Sequence, residues 1–149
     1  DFSALTLGFR AVSLADPDGL AEAQIGYSIS AGGDDLTGTA PGDWRPSWLV
    51  IGHEDETGDP LFVDTTSGDW PVYTAAHGDG TWLPERIADG ILSFCRALHL
   101  LRYVAPGRET PVALETNPVP ESEQRRILSR IEDENPYSSL DFWESWLLP

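Results

Sequence analysis

The chain has 149 residues, 40% hydrophobic and 23% charged. That balance suits one globular domain able to bury a core without staples, and it is too apolar for a disordered chain. Its 25 Asp and Glu stand against nine basic residues, all arginine, for a formal net charge of -16, a field that repels nucleic-acid phosphates and anionic lipid and favours encounter with basic surfaces.

Several classes drop out on the same grounds. The longest apolar stretch, 87–104, is interrupted by Asp89, Arg96, His99 and Arg102, so no membrane span is expected. A single cysteine, Cys95, permits neither an intramolecular disulfide nor a cysteine zinc site. A reducing cytoplasm is the simplest location, and no direct nucleic-acid contact is expected.

In chain order, residues 4–14 show an imperfect strand-like alternation, and Asp16-Pro17-Asp18-Gly19 then turns the chain towards a short helix over 20–25. A strand is predicted at 26–30. Residues 31–43, rich in Gly and Asp without an apolar period, read as a long surface loop. The β-rich run 48–51, an acidic turn at 54–59, the returning strand 61–64, a turn at 66–69, a strand at 71–75, a turn at 77–80 and a strand at 81–83 together predict an antiparallel meander. Turn signals about every ten residues leave no room for βαβ crossovers.

After Pro84 the period lengthens, and Ile87, Ile91, Phe94, Leu98 and Leu101 fall on one helical stripe that contains Gly90. A short strand is predicted at 112–114 and a charged helix over 121–134, stopped by Asn135-Pro136. A last helix, capped by Ser138 or Ser139, must bury Phe142, Trp143, Trp146 and Leu147. The expected fold is α+β, an antiparallel meander backed by helices, in a single domain over 1–149.

Residues that could carry chemistry fail on spacing. His53, His77 and His99 do not stand at metal-pair intervals, the acidic run 54–59 lacks the residue order of a calcium loop, and Ser67 has no nucleophile elbow around it. Asp64 and Asp69 could form an acid pair, but strand-end Asp residues more often bind turn amides. Cys95 reads as a small core hydrophobe. No catalytic residue, cofactor or metal is predicted.

Charge distribution points elsewhere. Between Pro46 and Glu85 there are eight carboxylates and no Lys or Arg. If they cluster in the meander turns, several should project from one end of the sheet beside Trp70 and Trp82, an acidic patch with aromatic anchors of the kind that binds proteins. The candidate partner-binding residues are therefore Trp44, Glu54, Asp55, Glu56, Asp59, Asp69, Trp70, Asp79 and Trp82, with Trp48 assigned to the core.

Residues 24–28 (Gln-Ile-Gly-Tyr-Ser), 48–52 (Trp-Leu-Val-Ile-Gly), 58–64 (Gly-Asp-Pro-Leu-Phe-Val-Asp), 71–73 (Pro-Val-Tyr), 77–82 (His-Gly-Asp-Gly-Thr-Trp) and the helix over 87–98 resemble, in their order, the SUKH superfamily across roughly residues 20–103. The amino-terminal helix and Asn-Gly turn of many members have no counterpart. The resemblance implies an antiparallel sheet backed by helices and no catalytic residues. It also implies a bacterial immunity protein that binds and neutralises a cognate toxin, here one with a basic surface, or alternatively a regulatory or scaffolding interaction module of the same fold.

Overall fold

The computed structural model describes residues 3–76, 78 and 80–148. Six strands form one antiparallel sheet in sequential order: β1 (Ala4–Leu7), β2 (Arg10–Leu14), β3 (Trp48–Glu54), β4 (Pro60–Asp64), β5 (Val72–Thr74) and β6 (Glu85–Ala88). Four helices follow, α1 (Ile91–Val104), α2 (Pro111–Thr116), α3 (Glu121–Glu134) and α4 (Asp141–Leu147). The α+β meander backed by helices is thus the observed architecture. Among the described residues no helix is long and apolar enough to cross a membrane.

Alternation along the strands divides the apolar residues between two faces. Leu5, Leu7, Val12, Leu61, Val63, Val72 and Ile87 point to the helices and join Phe94, Leu98, Leu101, Ile127, Trp143 and Trp146 in the main core. Val50 and Phe62 point the other way and pack with Trp44, Ala75, Tyr27, Trp48, Tyr73 and Trp82. The second face is covered by the long β2–β3 connection. Its 3-10 turn, Glu22–Gln24, places the Gln24 amide against β3, where Nε2 donates to the Val50 carbonyl at 2.8 Å and Oε1 accepts from the Val50 amide at 3.0 Å. A buried side chain thereby takes the place of a neighbouring strand.

Local rules were overridden in five places. The alternation over 4–14 is a tight hairpin of two strands. The strand predicted at 26–30 is irregular, held by isolated bridges from Ile29 to Ile25 and Asp35, because that segment lies across the sheet face rather than in it. Residues 81–83 are not a strand either; the sixth strand begins at Glu85 and takes Ile87 from the helical stripe. Gly90 is accordingly the α1 N-cap, where a Cβ would come within 2.8 Å of the Asp69 carbonyl oxygen. Residues 112–114 lie in α2, started by Pro111 and by Thr110, whose hydroxyl accepts from the Ala113 amide, a helix-start signal that a short apolar run of Val, Ala and Leu does not oppose.

The helix over 121–134 is observed as predicted. The last helix buries Trp143, Trp146 and Leu147, but no serine side chain caps it. Ser138 instead donates to Asp89 Oδ1 at 2.7 Å, and the Trp143 indole donates to the Ile87 carbonyl at 2.7 Å, tying α4 to the edge strand. Cys95 is exposed on the outer side of α1, one residue off the buried stripe, and is not a core residue.

Phe94 and Leu98 have no solvent exposure. Replacing either by Ala should destabilise the fold by about 2–5 kcal/mol and lower the melting temperature by many degrees; an unchanged melting curve would mean the stripe faces elsewhere. Gln24→Ala should leave both Val50 backbone groups without partners, at about 1–3 kcal/mol for each buried group. Faster hydrogen exchange at the Val50 amide is the direct readout, and protection equal to the parent would contradict the assignment.

Candidate functional site

In a meander, successive turns lie at alternate ends of the sheet. The β1–β2, β3–β4 and β5–β6 connections share one end, and the β4–β5 turn lies at the other. The predicted single patch is therefore divided. Glu54, Asp55, Glu56 and Asp59 belong to the first end and Asp69 and Trp70 to the second, while Trp82, from the β5–β6 connection, packs on the aromatic face of the sheet rather than beside Trp70 in an exposed patch. Asp79, like His77, lies outside the described residues.

Burial divides the candidates again. Trp44 is 2% exposed and sits at the centre of the second core, its ring 4.8 Å from Phe62, 5.0 Å from Tyr27 and 5.2 Å from both Trp48 and Trp82. Its indole N–H donates to the Trp48 carbonyl at 3.0 Å, so Trp44 is a structural residue with no face for a partner. Trp82 is half-buried in the same cluster. Trp70 is exposed and adopts a φ of 53°, a left-handed conformation that disfavours a bulky residue by roughly 1–2 kcal/mol.

Glu54 is also drawn inside, at 2% exposure, and the cause is a β-bulge. Pairing of β3 with β4 skips one residue between Val50 and Gly52, which reverses the alternation beyond that point. Without the bulge Glu54 would share the aromatic face with Val50; with it, Glu54 lies on the helix face opposite Val12. Gly52 is required there because a Cβ would collide with the Ser13 carbonyl oxygen on β2.

Glu54 Oε2 accepts from the Thr57 amide at 2.7 Å and the Thr57 hydroxyl at 2.8 Å, closing the acidic turn on itself. Asp55 accepts from the Ser13 hydroxyl at 2.8 Å, while Glu56 is exposed at the tip. The turn borders an open basin of about 370 Å³ lined by Arg10, Glu54, Asp59, Glu85, Asp141 and Phe142, among others. Arg10 and Asp141 were not singled out by sequence reasoning, since Arg10 reaches the turn only through the pairing of β2 with β3 and Asp141 only through the placement of α4 at this end.

The remaining polar candidates serve the fold. Asp64 Oδ1 accepts from the Thr66 amide at 3.0 Å and the Thr66 hydroxyl at 2.6 Å. Burial opposes ionisation there, but these bonds and one from Ser47 hold its carboxyl below the usual range. It binds a turn, and Asp69 lies beyond that turn rather than paired with it. The Tyr27 hydroxyl is 3.1 Å from His53 Nε2; burial, and then the charge of Asp59, push its phenol above the ordinary value. His99 is exposed and stacks edge-on with Tyr103 at 4.9 Å. Among the described residues no group of three or more His, Cys, Asp or Glu could hold a metal ion.

Gly52→Ala should destabilise the protein by about 1–3 kcal/mol through overpacking against backbone. It should also release the Thr57 amide from Glu54, seen as a large upfield shift of that proton. A variant that melts like the parent with the Thr57 amide unmoved would show that the bulge does not depend on glycine.

No family model, curated protein or solved structure matches this chain.

Proposed function

We propose that this chain is a non-catalytic binding domain that captures a basic protein at the acidic end of its sheet. The reading rests on one observation: the charge is segregated. Sixteen of the 25 carboxylates but only three of the nine arginines precede Ile91, so the strands and their connections carry nearly all of the negative excess. Each of those three is engaged within the fold: Arg10 lies 3.6 Å from Glu54, Arg86 lies 3.2 Å from Asp89, and Arg45 bonds the Gly38 carbonyl. Uncompensated charge opposes folding by self-repulsion and is consistent with use in binding.

The resemblance to the SUKH superfamily supplies the biological form of the proposal. The partner is a cognate bacterial toxin with a basic surface, met and neutralised in the cytoplasm. A regulatory partner of the same chemistry would engage the same surface, and identifying what co-purifies with the chain from its native cells separates the two.

Changing Asp55→Asn, Glu56→Gln and Asp59→Asn together keeps the acceptor that Ser13 needs and removes three charges. Thermal stability should be equal or higher, and association with the co-purified partner should slow on the order of tenfold at low salt. The parent's association rate should fall as ionic strength rises and the Debye length shortens below about 10 Å. A rate indifferent to both salt and the triple substitution would remove this end of the sheet from the interface.

A further inference from the structure

We infer that the solvent face of α1, together with the groove between α1 and α3, docks an acidic amphipathic helix of a partner protein. This surface belongs to the helical layer and stands apart from the end of the sheet proposed to capture a basic protein, so neither reading depends on the other.

Helix α1 is apolar on two sides. Phe94, Ala97, Leu98, Leu101 and Val104 fill the main core, while Leu92, Cys95, His99 and Tyr103 recur at three- and four-residue spacing on the opposite side. Leu92 and Tyr103 are 69% and 71% exposed, and Cys95 and His99 are exposed between them. A helix with large apolar residues on both sides is ordinarily covered on both. Two open hollows that share His99 flank this face. One, of about 400 Å³, lies between the helices at Leu100 and Arg130; the other, of about 410 Å³, lies towards Leu14 and Cys95. A ridge of exposed side chains with a hollow on each flank can receive the anchors that a docked helix presents at i, i+3, i+4 and i+7.

Charge decides the occupant. The chain has 25 carboxylates, yet none of the 14 residues of α1 is Asp or Glu. Among the described residues Glu134 is the only carboxylate lining either hollow, and Arg96 and Arg130 each lie 3.5 Å from it. Two guanidiniums that share one carboxylate leave a positive excess beside the apolar ridge, and both arginines are mostly exposed. That combination attracts carboxylates and opposes basic surfaces. A second copy is a poor occupant, because α1 laid on itself would set arginine against arginine while bringing together two chains of net charge -16 each.

The probe is a synthetic amphipathic peptide of about 20 residues, long enough to be helical alone, with Leu at heptad spacing and Glu beside it. Control peptides replace every Glu by Gln or by Lys. Backbone amide resonances of the full chain are followed during titration. The Glu peptide should give saturable shifts centred on Leu92, Arg96, His99, Tyr103 and Arg130. The Gln peptide should bind there about ten-fold more weakly, and the Lys peptide should leave those resonances in place. This order runs against the net charge of the chain, which by itself favours the Lys peptide.

Leu92→Ala with Tyr103→Ala should keep the parent melting temperature and weaken binding about ten-fold. Arg96→Gln with Arg130→Gln should weaken it about five-fold. Glu134→Gln should tighten it about three-fold by removing the competing carboxylate, a sign that simple damage cannot produce. Absence of saturation, shifts centred elsewhere, equal affinity for the Glu and Lys peptides, or weaker binding by Glu134→Gln would overturn the inference. So would dimerisation in sedimentation equilibrium that Leu92→Ala abolishes, which gives the face to a second copy. Binding to phosphatidylserine vesicles with no response to the Glu peptide would overturn it in favour of lipid. None of these outcomes bears on the acidic end of the sheet, which the triple turn substitution tests separately.

Discussion

Strand β4 is apolar on both sides, with Leu61, Phe62 and Val63 all at zero exposure, and a sheet whose central strand cannot meet water on either face needs two covers. The helices provide one. The second comes mainly from the connection between β2 and β3, joined by Ala75 and Trp82 of the β5–β6 connection; among the described residues the β2–β3 connection contains little regular structure and cannot bury itself by helix or strand packing. It is held instead by an aromatic cluster around Trp44 and by the Gln24 amide bonded to both polar groups of Val50. Tilted and edge-on rings at about 5 Å, with one indole N–H bonded to backbone, let irregular chain seal an apolar face.

A second consequence follows from the bulge that Gly52 permits. A two-residue alternation has no freedom to place one acidic residue of a strand on the helix side while its upstream neighbours keep their faces; an extra residue supplies it. The strand thereby carries Glu54 inward to face Arg10 and leaves Asp55 and Glu56 in the turn. The charge of this end is layered, with a buried carboxylate beneath an exposed acidic loop, and helix α4 closes over one side. The helical half answers differently. In α3, Arg125, Arg126 and Arg130 pair with Glu121, Glu123 and Glu134 along the helix surface, so its charge is largely spent within the element, at modest effect on stability because the pairs are exposed.

The two halves of the molecule thus have different electrostatic character. Side chains that hold the fold are apolar or bound to backbone, as with Asp64, Asp89 and Asn135, whereas Asp55 and Glu56 at the β3–β4 turn are exposed to solvent. That contrast supports the proposed recognition of a basic protein, since surfaces built for encounter keep charge at the rim and leave it unneutralised.

The sequence by itself determined the fold class, the meander order and helix α3, because turn residues and a change of period from two to about three and a half are local signals that survive folding. It also determined the acidity of the turns, which is a matter of composition. Tertiary structure decided which face and which end each residue occupies. Ile87 reads as helical from its spacing to Ile91 and Phe94 yet becomes a strand residue, since the edge of β5 offers backbone partners that an added helical turn cannot match. Trp44 reads as a loop aromatic and becomes the centre of a core, since β4 presents Phe62 to that side. Trp70 and Trp82 read as neighbours twelve residues apart and are separated by β5, Trp70 exposed in the β4–β5 turn and Trp82 packed on the aromatic face. Pairing geometry and long-range burial have no local signature in the chain, and they are what assembled the basin from Arg10, Glu54, Glu85 and Asp141.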